Sequence, residues 1–295
     1  MSAEAAGDWK DGRGSASDLG RPRSKGMVAV SDAGFYLALI LISLTYVLLI
    51  VSMLAADVVF MARESAGPAD RNPIFAALAD PNIRHSIWLS MTSCTLSAIF
   101  SVWVAVPLGY LISRHSFLGR NLLDAIIDIP IVLPPLVVGL SLLILFQFWP
   151  FSLLARQIVY QIPAVVLAQF AVACAFAVRT MKTTFDHIDP RCEQVALSLG
   201  CTRLQAFGWV VLPEAKRGMT TAFTLAWARS LGEFGPLLIF AGATRMKTEV
   251  LSTTVFLEMN VGDIAAAVAV SLIMVAAAIA VLVVARLWGT HEGLL

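Results

Sequence analysis

Charged residues are scarce in this chain of 295 residues: they make up 14% of the sequence, whereas hydrophobic residues make up 58%. The mean hydropathy is +0.80. A soluble domain of this length cannot bury so much apolar surface, so the composition predicts an integral membrane protein. The net charge of +1 argues against a role on nucleic acid.

Motifs for metal binding and catalysis are also missing. The four cysteines form no CxxC pair, and the four histidines are dispersed, so neither a zinc site nor a catalytic triad is indicated. The chain has no G-x-x-x-x-G-K-[ST] loop for nucleotide phosphates, and Ser141 lacks the flanking glycines of a nucleophile elbow. We therefore expect no catalytic residue, metal or cofactor in this chain.

The apolar residues form stretches long enough to cross a bilayer. Residues 1–33 are polar and lack the apolar core of a signal peptide, so they are predicted to be a disordered cytoplasmic tail. A first transmembrane helix follows within residues 34–60. About 20 apolar residues span a bilayer, and six stretches qualify if one interrupted by charges is included: 35–56, 86–113, 129–155, 157–178, 218–244 and 264–285. The fold class is therefore an all-α polytopic membrane protein with about six spans.

The orientation follows from the distribution of Lys and Arg. These residues are concentrated in the segments on the same side as the N-terminus, and such segments face the cytoplasm in most membrane proteins. Both termini and the polar segment 183–217 are therefore predicted to be cytoplasmic. The segment 244–263 has a mild amphipathic pattern and is predicted to lie on the outer side.

The polar segment contains signals for two short helices. Asp189 is a suitable N-cap and Pro190 a suitable first helical residue, while Gly200 suits the left-handed conformation that ends a helix. Thr202 and Gln205 have the spacing of a capping box for a second helix, which Pro213 then stops or bends.

The first of these helices carries an apolar stripe of Cys192, Val195, Ala196 and Leu199 at helical spacing. A helix of about ten residues is marginal by itself in water, so something must cover the stripe. Three interpretations are open: a loop that packs on its own spans, a DNA-binding helix-turn-helix, and a docking element for a cytosolic partner. The membrane tethers at both ends and the small excess of positive charge disfavour the DNA interpretation.

The string "EQVALSLG…VVLP" resembles the EAA loop of bacterial ABC-importer permeases. Gln194, Val195 and Ala196 occupy the E-A-A positions, and the spacing to Gly200 and to Leu212-Pro213 is met in full. Gln194 replaces the usual Glu, and the adjacent Glu193 can supply the carboxylate. The resemblance implies that this loop is a coupling helix that contacts an ATPase subunit through Glu193, Gln194, Val195, Ala196, Gly200, Leu212 and Pro213.

The resemblance covers roughly residues 75–290. "LPPLVVG" (133–139) and "RSLGEFG" (229–235) are similar to segments of molybdate, tungstate and sulfate permeases. The family implies a prokaryotic inner-membrane subunit that imports a tetrahedral oxyanion. Its implied partners are a second permease subunit, expected to be another copy of this chain in a homodimer, two cytosolic ATPase subunits that hold ATP and Mg²⁺, and an external solute-binding protein.

Two spans contain residues that disturb a helix. Pro134 and Pro135 remove backbone donors, and Gly139 and Ser141 are small enough for a close approach. Freed backbone groups in a bilayer are tolerated only against protein or a water-filled cavity. These four residues are therefore candidates for the translocation pathway, and a kink that only shapes packing is the alternative.

The span 218–244 carries Arg229 and Glu233 four residues apart, so the two side chains share a helix face and can pair. Intramembrane charges mark functional sites by default, and Gly235 and Pro236 further disturb this span. Two interpretations are open: the pair is a gate whose contacts differ between inward- and outward-facing states, or it is a structural ion pair that fixes the helix register. Asp128 is less suited as a partner of Arg229, because the two are expected at different depths.

Other functions remain as alternatives. Ferric iron and polyamine permeases share much of the same core, so the solute is open. A stand-alone secondary transporter or channel would not need a docking loop. An intramembrane enzyme also suits six spans, although no catalytic motif supports it.

Overall fold

The computed structural model describes residues 25–65 and 73–291 of the chain, with side chains over 34–64 and 74–285. Over these ranges the chain forms thirteen α-helices and no β-strand. The helices are α1 (Lys25–Ser65), α2 (Pro73–Ala79), α3 (Pro81–Arg114), α4 (Arg120–Val132), α5 (Pro135–Leu145), α6 (Ala155–Ile158), α7 (Ile162–His187), α8 (Pro190–Ser198), α9 (Arg203–Ala206), α10 (Leu212–Glu214), α11 (Lys216–Leu231), α12 (Leu251–Val261) and α13 (Ile264–His291). A 3₁₀ turn covers Phe151–Leu153, and π-helical turns cover Phe207–Val211 and Leu237–Ala241.

The chain divides into two compact units, Met1–Ala56 and Asp57–Leu295. In the first unit, none of the side chains described between residues 34 and 56 is buried. The helix α1 begins at Lys25, inside the stretch 1–33 predicted to be a disordered tail, because the apolar residues 27–30 extend the helical sequence. Residues 1–24 of that predicted tail lie outside the described residues.

Among the described residues, four helices are long and apolar enough to cross a membrane: α3, α7, α1 over Gly34–Glu64 and α13 over Ile264–Ala285. The bent pair α4 and α5 adds a fifth if it counts as one span. Within the described ranges the count therefore reaches five, and the predicted number of six is not confirmed. The helix α7 begins at Ile162 rather than at residue 157, since Pro163 suits only the first turn of a helix.

The predicted span 129–155 is broken rather than continuous. Helix α4 ends at Val132, and α5 leaves it at an angle of 112°. Pro135 occupies the first position of α5, where its missing N–H is not needed. Pro134 and Pro135 thus separate two helices. Only a kink within one helix was expected from the sequence, so the effect of these prolines is larger than predicted.

The predicted span 218–244 is also broken. Helix α11 has 16 residues, which is about 24 Å and short of the roughly 30 Å apolar thickness of a bilayer. Residues 232–234 are not helical, and they separate α11 from the helical residues 235–241, of which Leu237–Ala241 form the π-helical turn. Gly232 ends α11, and Pro236 lies in the first turn of the next helical segment, where its missing N–H is not needed.

The core of the second unit is formed by α3, α7 and α11, which pack against one another through small side chains. A stripe of five serines on α3 is buried, together with alanines from α7 and α11. Inside a membrane, small residues allow helix backbones to approach closely, and van der Waals packing then stabilises the bundle. The serines are Ser86, Ser90, Ser93, Ser97 and Ser101.

Candidate functional site

The loop between α7 and α11 begins with a helix that is capped at both ends. The Asp189 side chain accepts a hydrogen bond of 2.9 Å from the N–H of Arg191, and Pro190 starts α8. Gly200 has a φ of +93°, as predicted for a left-handed helix end. Its N–H donates to Leu197, and the N–H of Cys201 donates to Ala196, both at 3.1 Å, which is the Schellman pattern. The predicted boundaries of this helix are confirmed.

The second predicted helix is confirmed at its start and differs at its end. The N–H of Thr202 donates to Gln205 Oε1 at 2.8 Å, and the N–H of Gln205 donates to Thr202 Oγ1 at 3.3 Å, which completes the capping box. The chain then widens into the π-helical turn Phe207–Val211. Pro213 follows in α10, so the helical path is altered here rather than stopped.

The predicted apolar stripe of α8 does not lie on one buried face. Ala196 is buried, with 7% of its surface exposed, and it packs against this chain. Val195 and Leu199 are exposed by 57% and 79%, and Leu204 and Trp209 further along the loop are also exposed. We refer to Val195, Leu199, Leu204 and Trp209 as the exposed loop residues. The loop therefore buries one small side chain of α8 and leaves large apolar side chains uncovered.

The two candidate polar contacts of the loop differ in position. Glu193 Oε1 accepts a hydrogen bond of 2.5 Å from the Tyr110 hydroxyl, and Glu193 Oε2 lies 3.9 Å from Arg114 Nε. Gln194, at the position of the usual Glu, is exposed. The carboxylate is thus engaged within this chain, whereas the Gln194 side chain is exposed.

The pathway candidates from the two broken spans meet in the structure. A Cβ on Gly139 of α5 would lie 2.7 Å from Pro236 Cα. A Cβ on Gly235 would lie 2.9 Å from both Leu136 N and Pro135 Cβ. Glycine is required at both positions because the two backbones touch there. Pro134 and Ser141 lie on the same α4–α5 segment and are exposed.

We expect Gly139→Ala to lower the free energy of unfolding by about 1–3 kcal/mol, because the new methyl group overlaps backbone that cannot rotate away. Gly232→Ala is the matched control: the nearest atom to its new Cβ is Ala228 O, at 3.9 Å. Thermal unfolding of both variants in the same detergent tests the contact. Equal melting temperatures would show that α5 and the Pro236 segment are not in contact.

Arg229 and Glu233 form the predicted ion pair. The carboxylate of Glu233 is buried, with 1% of the side chain exposed, while 30% of the Arg229 side chain is exposed. The guanidinium also lies over the ring of Phe176, with Cζ 5.6 Å from the centroid. Asp128 pairs with Arg179 of α7 instead, in agreement with the expectation that it is not the partner of Arg229.

Polar contacts that the sequence analysis missed connect the core helices. The hydroxyls of Ser97 and Ser230 are 3.1 Å apart, and Gln169 Nε2 donates to the Ser230 carbonyl at 3.3 Å. Trp227 Nε1 donates to Thr95 Oγ1 at 3.2 Å. The spacing of serines along α3 was the available signal for a buried polar face.

The amphipathic segment 244–263 contains α12. Ser252 Oγ donates to the carbonyl of Glu233 at 2.6 Å, which connects α12 to the pathway candidates. Arg245 Nη2 lies 2.9 Å from Glu258 Oε1. Glu249, just before α12, is fully buried, and burial raises the pKa of its carboxyl. This segment is therefore packed into the bundle.

Known proteins are similar to this chain in sequence and in fold. The profile of the family described as "Binding-protein-dependent transport system inner membrane component" matches residues 105–290. The chain is 32% identical over 210 residues to the sulfate transport system permease protein CysT of Salmonella typhimurium, covering 70% of this chain and 76% of that protein. It is 36% identical over 203 residues to a probable molybdenum ABC transporter permease protein of Haloferax volcanii, covering 68% and 74%.

A solved structure supports the same fold. The crystal structure of a bacterial alginate ABC transporter, in complex with a periplasmic protein that holds an alginate pentasaccharide, contains a chain with a TM-score of 0.69 and 16% identity. The match covers 90% of this chain and 96% of that one, and at this identity it shows the fold alone. The resemblance inferred from the loop and pathway motifs is confirmed. The chain belongs to the family of binding-protein-dependent transport system inner membrane components, and it is a permease subunit of an ABC importer.

Proposed function

We propose that this permease forms the path for a tetrahedral oxyanion, namely sulfate, molybdate or tungstate, across the inner membrane of a prokaryote. An external binding protein delivers the oxyanion, and a second copy of this chain completes the path. Two cytosolic ATPase subunits, which hold ATP and Mg²⁺, dock on the loop 189–213. This chain itself contributes no catalytic residue.

The observation that carries the docking proposal is the combination of a rigid helix with uncovered apolar side chains. Helix α8 is capped at both ends, yet Val195 and Leu199 are exposed. Single exposed hydrophobic residues are ordinary, whereas several on one polar loop indicate a protein contact. The same end of the bundle carries Arg114, Arg179 and other basic residues, so we assign it to the cytoplasm together with both termini.

We place the translocation pathway at the contact between α5 and the segment around Pro236. The two backbones meet there without side chains between them, so a small separation opens a gap. Its residues are Pro134, Pro135, Gly139, Ser141, Arg229, Glu233, Gly235 and Pro236. Within this set, the ion pair of Arg229 and Glu233 either changes its contacts during transport or only braces the fold, and the double variant Arg229→Met/Glu233→Gln distinguishes the two roles.

The substrate class rests on the relatives rather than on a charged site in the path. The relatives include permeases named for sulfate, molybdenum and molybdate/tungstate transport. Glu233 neutralises Arg229, so the pathway contact offers little net positive charge to a dianion. We therefore assign selectivity to the external binding protein.

The permease is expected to co-purify with a co-expressed ATPase subunit from detergent. Proteoliposomes that hold this complex should take up radiolabelled sulfate or molybdate only with ATP and Mg²⁺ inside and loaded binding protein outside. Uptake without ATP would support a stand-alone transporter and overturn the proposal. Transport of ferric iron or a polyamine in place of the oxyanion would overturn the substrate assignment alone.

A further inference from the structure

Tyr110 lies at the cytoplasmic end of α3 and binds the docking helix directly. Its hydroxyl donates a hydrogen bond of 2.5 Å to Glu193 Oε1 on α8. Arg114, one helical turn further along α3, lies 3.9 Å from the other carboxylate oxygen and donates to the carbonyl of Ile188 at 2.7 Å. The Arg114 and Glu193 side chains are mostly buried, at 10% and 15% exposed. We refer to Tyr110, Arg114 and Glu193 as the α3–α8 clamp.

The ring of Tyr110 is itself held in place by its neighbours. It packs edge-on against Phe207, with the centroids 4.7 Å apart, and against Phe185, with the centroids 5.6 Å apart. Phe185 belongs to α7, and Phe207 begins the π-helical turn after α9. The hydroxyl therefore projects from a point where three segments of the bundle meet, so its position is well defined.

Helix α8 has few other attachments to the bundle. Of its nine residues, only Ala196 is buried. The contacts of Ala196 and of half-buried Leu197 are apolar and resist sliding or rotation weakly, whereas a hydrogen bond to an ionised carboxylate is short, directional and stronger than one between neutral groups. The α3–α8 clamp is thus the directional connection between α8 and a long membrane helix.

We infer that Tyr110 and Arg114 are positioning residues that act through Glu193 to make α8 move as one body with α3. This inference rests on the proposed docking of an ATPase subunit at the loop. A displacement of α8 by that subunit then reaches the membrane bundle through α3, and without the clamp the loop bends and the displacement is lost. Glu193 accordingly serves the chain's own fold, and Gln194 faces the partner.

The test is Tyr110→Phe, which removes one hydroxyl and retains the packing of the ring. Tyr46→Phe, in an exposed side chain of α1, is the matched control. In proteoliposomes of the complete complex, Tyr110→Phe should leave co-purification and ATP hydrolysis within twofold of the wild type. It should lower the amount of oxyanion transported per ATP hydrolysed by at least fivefold. Glu193→Gln should also lower the amount of oxyanion transported per ATP hydrolysed. The double variant Tyr110→Phe/Glu193→Gln should lower this ratio no further than the more defective of the two single variants.

An unchanged ratio of transport to ATP hydrolysis in Tyr110→Phe would overturn the inference. A proportional fall in assembly, hydrolysis and transport would also overturn it, since this indicates a structural role only. If the wild-type permease binds no ATPase subunit, the proposed function fails, and the clamp is tested separately on the permease alone. A nitroxide on the exposed thiol of Cys192 in α8 should gain mobility in Tyr110→Phe and not in Tyr46→Phe. Equal mobility in both variants would show that the clamp does not hold α8.

Discussion

Leu199→Arg is expected to abolish co-purification of the ATPase subunit and ATP-driven uptake. Leu199 lies at the end of α8, immediately before Gly200, and 79% of its surface is exposed. The substitution removes little packing within this chain, but it places an unpaired charge in the proposed interface. Loss of a central apolar contact costs about 2–4 kcal/mol, which weakens binding about 30- to 1,000-fold. Co-purification and ATPase activity of the complex measure the effect.

Leu118→Arg is the matched control, because Leu118 is a fully exposed leucine in the turn between α3 and α4 at the same end of the bundle. It should assemble as the wild type does. Ala196→Arg and Gly200→Arg are poorer tests: Ala196 is buried against its own chain, and the φ of +93° at Gly200 suits glycine. Normal assembly and transport by Leu199→Arg would show that the loop is not the docking site.

Arg229→Met is expected to destabilise the permease by about 3–5 kcal/mol, because it leaves the buried carboxylate of Glu233 without its ion-pair partner. Glu233→Gln should cost less, since the Arg229 side chain is 30% exposed and also lies over Phe176. The double variant Arg229→Met/Glu233→Gln should recover most of the loss. Thermal unfolding in detergent gives these differences.

The same variants separate a brace from a gate. If the pair only braces the fold, the double variant recovers both stability and oxyanion uptake. If the pair changes its contacts during transport, the double variant recovers stability and remains defective in uptake. The control Arg156→Met replaces an exposed arginine and should change the free energy of unfolding by less than about 0.5 kcal/mol. Equal stability of Arg229→Met and this control would contradict a buried ion pair.

The loop 189–213 shows which structural features can be predicted from local sequence signals. Asp189, Gly200, and the pair Thr202 and Gln205 each act on backbone groups within a few residues, so their roles were predicted and are confirmed. The stripe of α8 was predicted as one face, but Ala196 is buried while Leu199 is exposed. Helical spacing shows which residues lie near one another, and it does not show which of them meet the rest of the chain.

The broken spans show a similar limit. Hydropathy identified the segments, and the prolines and glycines identified the places where helices are disturbed. The 112° turn between α4 and α5 and the shortness of α11 were not predicted, because a proline in a membrane helix permits anything from a kink to a break. The neighbouring helices decide which of these occurs.

By itself, the sequence determined the class of the protein, its family, the caps of the loop 189–213 and the pairing of Arg229 with Glu233. The class depends on composition, and the family depends on motifs spread over residues 75–290. The caps and the ion pair depend on residues within about one turn of a helix, where the local geometry is nearly constant. Only the tertiary structure decided that Gly139 touches Pro236 and that Glu193 binds Tyr110, 83 residues away. Such contacts depend on how whole helices pack, and no spacing along the chain specifies that arrangement.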